Sequence, residues 1–427
     1  MKKQISLLGL FITIFFFPQA ARGEEVNTLF LNDSTHFTQS TDTLLKKTRF
    51  IHRIEADGRF AYIFPTNSFL KGYNNQRLIM KYAASYHLKY AFQSRHNNPK
   101  GDIYKEAYQG IGLAYYDFGN KEGLGTPVVA YLFQGAPIVH FSKYLSLNYE
   151  WNFGVSFGWK PYNTETNPEN KLIGSKVNAY LNANFYLNWR IARQFDLHLG
   201  IEGTHFSNGN TKYPNLGLNT SGIKAGLVYY FDRERLSKDN SISKETSTEL
   251  SDFKKRMSYD MLFFGSWRRT GITYHNALYL APKAYTVLGF SFNPMYRLNR
   301  LFKTGLSLDG VYDGGSQIQG IERSASASRE TTNENYNFDV IKPPFSKQLS
   351  LGLSARAEFV MPYFSINLGL GGNILNSNRD LKFFYQTLTL KIDLFKDLYL
   401  NVGYNLRNFQ EPNYLMLGLG YRFHNKK

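Results

Sequence analysis

"LSLNYEWNFGVSFGW", residues 145–159, decides the fold. Its odd positions are Leu145, Leu147, Tyr149, Trp151, Phe153, Val155, Phe157 and Trp159, and its even positions are Ser146, Asn148, Glu150, Asn152, Gly154, Ser156 and Gly158. A period of two sustained over this length, with no competing helical period, is a β-strand with one apolar and one polar face. A strand of about 10 residues crosses a bilayer when tilted, so the run is long enough to span. Val177 to Trp189 repeats the pattern, with apolar odd positions and Asn178, Asn182, Asn184 and Asn188 filling most of the even ones.

Working outward, further strands are expected near residues 60–70, 78–93, 106–117, 127–141 and 219–231, so that the first half holds roughly eight. The stretch after Phe231, "DRERLSKDNSISKETSTELSDFKKR", is charged, rich in Ser and Thr, and nearly free of aromatics, as a solvated linker would be. A second series is expected near 257–270, 283–297, 303–312, 347–360, 363–374, 383–394, 397–407 and 414–423. The two series resemble each other at their ends. "LNWRIARQFDLHLGIEG" (187–203) lies over "LTLKIDLFKDLYLNVGY" (388–404), and "GLVYYF" (226–231) over "GLGYRF" (418–423). The fold class is therefore all-β, a transmembrane antiparallel β-barrel protein made by duplication, with two tandem eight-stranded barrels. One barrel of about 16 strands is the alternative.

The remaining composition agrees with a membrane barrel. The 427 residues include no cysteine, which removes disulfides and thiolate metal sites, and 16% are aromatic, suited to girdles at a membrane interface. Lys2 and Lys3, the apolar run from Ile5 to Phe17, and the small-residue step Ala21-x-Gly23 read as a secretory signal peptide. The formal charge of +17 includes Lys2, Lys3 and Arg22, and falls to about +14 when they leave with the signal. That charge favours anionic partners, and in a secreted chain points to anionic lipid or phosphorylated glycolipid, with no nucleic acid. The expected organisation is a signal peptide (1–23), an N-terminal segment (24–47), a first barrel (48–232), a polar linker (233–256) and a second barrel (257–427). The expected location is the bacterial outer membrane.

Loop lengths orient the barrels, because outer-membrane barrels have short periplasmic turns and longer outer loops. "KPYNTETNPENKLIGSK" (160–176) is long, "ARQF" (192–195) short, "SNGNTKYPNLGL" (207–218) long again, and residues 315–344 form a long stretch in the second half. The strand before the 207–218 loop breaks its own pattern. Leu197, Leu199 and Ile201 mark the lipid-facing row, yet the row continues through Gly203 to His205 and Ser207. Neighbours two apart share a face about 6.7 Å apart along the strand, so the imidazole is expected to reach toward the hydroxyl, as a base does toward a nucleophile. In the duplicate the same positions are Leu406 and Asn408. "SNGN" is also ordinary hairpin chemistry, since Asn and Gly tolerate positive φ.

The stretch "GTHFSNGNTKYPNLGLNTSG" (203–222) resembles the lipid A 3-O-deacylase family of outer-membrane barrels, whose hallmark is His-x-Ser-Asn followed by a Pro-Asn hairpin. The close resemblance covers about 20 residues, and the first half in architecture. It implies an eight-stranded barrel that hydrolyses an ester-linked acyl chain of lipid A, or lipopolysaccharide, without metal or cofactor. It further implies Ser207 as nucleophile and His205 as its base, with Asn215, Asn208 and backbone N–H groups near Gly209 and Asn210 stabilising the oxyanion. One position departs. The family orients its His with a Glu from the following strand, and ungapped counting puts Asn219 there, with Leu218 beside it. Asn can accept an imidazole N–H but brings no negative charge. Glu202 points into the lumen by parity, and Asp232 lies at the far end of its strand. The alternatives are a non-enzymatic pore or structural barrel, and a phospholipase acting on outer-leaflet lipids.

Overall fold

A computed structural model describes residues 50–94, 106–231, 233, 256–274, 277–299, 301–322, 338–361, 364–375, 384–407 and 411–424. The signal peptide, the segment 24–47, most of the linker 233–256, Asp232 and Asn408 lie outside these residues.

Eight strands form the first barrel: β1 (Phe50–Ile63), β2 (Tyr82–Ser94), β3 (Tyr108–Asp117), β4 (Gly125–His140), β5 (Leu145–Trp159), β6 (Val177–Arg190), β7 (Phe195–Ser207) and β8 (Leu218–Tyr230). Each pairs antiparallel with the next, and β8 pairs back onto β1. The second half adds β9 (Met257–Arg268), a hairpin of β10 (Gly271–Tyr274) and β11 (Ala277–Leu280), β12 (Tyr285–Arg297), β13 (Phe302–Asp313), and a small pair, β14 (Gln319–Glu322) and β15 (Phe338–Ile341). It ends with β16 (Leu349–Val360), β17 (Phe364–Leu375), β18 (Phe384–Phe395), β19 (Leu398–Arg407) and β20 (Glu411–His424). Strands β9, β12, β13 and β16–β20 close a second barrel, with β20 paired to β9. Two separate closures exclude the single 16-strand alternative, and closure removes the sheet edges that lipid could not satisfy.

Alternation sorts the side chains as expected in β5. Ser146, Asn148, Glu150, Asn152 and Ser156 are buried in the lumen and the apolar row from Leu145 to Phe157 faces out, whereas Trp159, after Gly158 at φ +91°, turns inward and is buried. The strand expected at 60–70 is instead β1, at Phe50–Ile63. Its inward row contains Arg53, Glu55, Asp57 and Arg59, all buried, so the sequence reads as a loop. These charges are tolerated because other strands supply partners. Lys89 Nζ lies 2.7 Å from Glu55, 3.0 Å from Glu150 and 3.3 Å from Asp57, and Lys224 lies 2.9 Å from Glu55. The second lumen repeats the device, with Lys391 2.8 Å from Asp260 and 2.6 Å from Glu358. Glu202 belongs to the first network, accepting from Asn182 at 2.6 Å and Thr204 at 2.5 Å.

The outer row bears exposed apolar residues such as Leu88, Leu113, Ile201 and Ile223, which is the surface a bilayer covers. Aromatics band both ends. Phe195, Tyr229 and Phe231 pack together at the short-turn end, and Phe60, Tyr62 and Tyr82 at the long-loop end. Tyr62 pairs with Ser221, and Ser221 with Gly203, so His205 lies one outward-facing step beyond Tyr62. From Phe195 to His205 the strand rises about 33 Å, or roughly 25 Å along the membrane normal at the usual tilt, which matches the apolar band of an outer-membrane barrel.

The barrels lie side by side. Met361, Phe364, Leu390 and Ile392 of the second are buried against a layer that includes Tyr149, Trp151 and Phe153 of β5. Tyr149 meets Phe359 and Phe153 meets Phe364 in edge contacts.

Candidate active site

The site is built where β7 leaves the barrel. Phe206 points inward and is fully buried among Trp159, Phe118, Tyr116 and Tyr180, which close the outer end of the lumen with an aromatic plug. Anchoring Phe206 fixes its neighbours on the opposite side of the strand. His205 is partly buried in the outer row, and Ser207, on the same face, is covered by the following loop.

His205 pairs across the sheet with Asn219 of β8, and its Nδ1 lies 2.6 Å from Asn219 Oδ1. An amide oxygen can only accept, so Nδ1 carries the proton and Nε2 is left with its lone pair. The Asn219 backbone is anchored in turn: its main-chain carbonyl accepts the Phe64 N–H at 3.0 Å. Gly217 sits at the start of the strand with φ +72°, and a Cβ there would be 3.0 Å from His205 Cε1. Any side chain at 217 would press on the imidazole and would have to adopt a φ that L residues rarely take.

The serine departs from the sequence expectation. Ser207 Oγ does not bond to His205. It accepts from Asn215 Nδ2 at 2.9 Å and from the Gly209 N–H at 3.1 Å, and lies 3.3 Å from Asn215 Oδ1. The reason is local. The 208–217 hairpin folds back over the hydroxyl and supplies its partners in place of the imidazole. The hairpin is itself secured. The Asn208 N–H donates to Asn215 Oδ1 at 3.0 Å, the Asn208 side chain donates to Lys212 O at 2.8 Å, and Asn215 Nδ2 reaches Asn210 Oδ1 at 3.3 Å. Its far arm is stitched to the 160–176 loop by an Ile173–Asn215 bridge and by Leu216 N–H to Leu172 O at 3.2 Å.

The residues expected at the site thus fall into groups. His205 and Asn219 form one pair, and Ser207, Asn215 and the Gly209 amide form a second cluster beside it. The side chains of Asn208 and Asn210 close the hairpin rather than meeting the hydroxyl. Gly217 and Phe206 were not singled out from sequence, since a loop glycine and an inward aromatic carry no signal of their own. Among the described residues no group of His, Asp or Glu converges as metal ligands would.

An imidazole whose Nδ1 is fixed and a neighbouring hydroxyl held by two N–H donors are the parts of an ester hydrolase. Comparison with known families agrees: the model of lipid A 3-O-deacylase matches residues 80–228, and that of the C-terminal domain of acyloxyacyl hydrolase matches residues 257–425. The chain belongs to the lipid A 3-O-deacylase family. It is a carboxylic ester hydrolase of the bacterial outer membrane whose substrate is lipid A. Among solved structures, this deacylase is similar to the outer-membrane enzyme PagL, at 15% identity over 41% of this chain and 97% of that one, with a TM-score of 0.25. It is also similar to Neisserial surface protein A, at 10% identity over 42% of this chain and 97% of that one, with a TM-score of 0.28. No curated protein sequence matches it.

Proposed function

We propose that the first barrel cleaves an acyl ester of outer-leaflet lipid A by nucleophilic catalysis, with Ser207 as nucleophile, His205 as general base and Asn219 as the residue that orients the imidazole. The observation that carries this reading is the 2.6 Å bond from His205 Nδ1 to Asn219 Oδ1 on the lipid-facing side, at the height of the outer aromatic band. That bond presents Nε2 on the side of the ring away from Asn219.

The Ser207 hydroxyl turns from Asn215 to His205 Nε2 when an ester enters, gives up its proton there, and forms a bond to the carbonyl carbon. Negative charge collects on the former carbonyl oxygen, where the Gly209 N–H and Asn215 Nδ2, already within 3.1 Å of Oγ, are placed to donate. Collapse breaks the ester C–O bond, and the sugar alkoxide leaves with the proton from Nε2. A water molecule then attacks the acyl-serine with the same base, the proton passes back to Ser207, and the fatty acid departs. The lumen plays no part in this sequence. Its paired charges fill the interior, which favours a hydrolase working on its outer wall over a pore.

The test is mass spectrometry of total lipid from cells with and without the gene. A lipid A species lighter by one acyl chain, with phospholipid acyl patterns unchanged, is expected. Lysophospholipid in its place would make the enzyme a phospholipase, and no change in either lipid would refute hydrolysis.

A further inference from the structure

The second barrel has Leu406 where the first has its imidazole, yet it touches the site. Tyr404 of β19 stands in the outward row with Leu398, Leu400 and Val402. An outward residue of a membrane barrel ordinarily meets lipid, as Leu419 on the next strand does at 51% exposure, but Tyr404 is only 8% exposed. The first barrel covers it. A Cβ built on Gly209 would fall 2.3 Å from Tyr404 Cε1 and 3.3 Å from Cδ1 and Cζ, so the edge of the ring rests on the Gly209 backbone. One residue on, the Asn210 carbonyl accepts the backbone N–H of Arg269, just after β9, at 3.3 Å.

Gly209 and Asn210 are consecutive residues in the left-handed region, with φ of +64° and +61°. Glycine reaches that region without cost, but reaches others equally well, so a contact that restrains Gly209 adds to the bonds within the hairpin. The amide that faces Ser207 Oγ belongs to this same Gly209. We propose that Tyr404 is a positioning residue for hydrolysis on the first barrel, and that the second barrel acts as a clamp fixing the Gly209 N–H where the oxyanion develops. The ring does this by packing, and its hydroxyl takes no part. The proposal rests on Ser207 being the nucleophile. It gives the motif-free barrel a catalytic purpose: the donor must stay fixed, since a shift of about 1 Å in a catalytic group can cost on the order of 100-fold in rate.

The test uses the full-length protein refolded in detergent micelles, hydrolysing a p-nitrophenyl acyl ester, with heat-modifiable migration as the check on folding. Tyr404→Phe is expected to match the wild type. Tyr404→Ala is expected to keep folded migration and KM within about two-fold while kcat falls roughly 10- to 100-fold, because only the transition state uses the displaced donor. If Tyr404→Ala does not fold, Tyr404→Leu, which fills the interface without a flat ring edge, carries the same expectation. Wild-type kcat in the folded Ala or Leu variant would overturn the clamp, as would a Tyr404→Phe variant as slow as Tyr404→Ala. Ser207→Ala run in parallel separates the two ideas. Retained turnover there would remove the nucleophile and the clamp with it, whereas an inactive Ser207→Ala beside a fully active Tyr404→Ala would remove the clamp alone.

Discussion

Asn219 Oδ1 accepts the Nδ1 proton of His205 across the β7–β8 ladder, 2.6 Å away, in a register that places the two residues directly opposite. The bond selects a tautomer without supplying charge. Asn219→Ala should therefore keep the barrel folded and lower kcat by about 10- to 100-fold, since general-base assistance contributes on the order of 10²–10⁴-fold and the imidazole would be left unoriented rather than absent. Asn219→Glu should raise kcat above wild type, because a carboxylate also stabilises the imidazolium formed during attack. Steady-state hydrolysis by the two purified variants checks both, and a Glu variant slower than Asn219→Ala would speak against the orienting role.

Gly217 tests the space around the imidazole. Gly217→Ala places a Cβ 3.0 Å from His205 Cε1 at a φ of +72°. The backbone penalty is about 1–2 kcal/mol, small for a barrel, so the folded protein should persist while activity falls by more than Asn219→Ala costs. Unfolding midpoints in urea, measured beside turnover, separate the two effects.

Phe206 ties the site to the lumen plug. It is fully buried against Trp159, Phe118 and Tyr180. Phe206→Ala should cost about 3–5 kcal/mol from the cavity left behind, and should reduce turnover although the side chain points away from the substrate. Phe206→Leu should recover most of both.

Lys89 tests the charge network. It lies between Glu55, Asp57 and Glu150 with no solvent contact. Lys89→Met leaves buried carboxylates short of a cation and should destabilise the first barrel by about 3–5 kcal/mol in vesicle-based unfolding. A neutral effect would mean that Lys224 alone suffices.

Much of this was legible in the sequence, for physical reasons that differ by residue. The period of two in β5 and β6 survives because one side must satisfy lipid and the other a polar lumen, so the barrel and the outward face of His205 follow from parity. β1 was misplaced because Arg53, Glu55, Asp57 and Arg59 look like loop residues until Lys89 and Lys224 arrive from other strands to pair with them. Asn219 could be found by counting, since a ladder fixes what lies opposite. The hydrogen bonds of Ser207 could not, because whether a hydroxyl turns to His205 or to Asn215 depends on how the hairpin folds back. Tyr404 was further out of reach: its contact with Gly209 joins two residues, one on each barrel, that lie nearly two hundred positions apart in the chain.

The most direct measurement of the central claim is fatty-acid release from purified lipopolysaccharide by Ser207→Ala beside the wild-type protein, both showing the heat-modifiable migration of a folded barrel. The account predicts release by the wild type and none above background by the variant. Undiminished release by folded Ser207→Ala would contradict it.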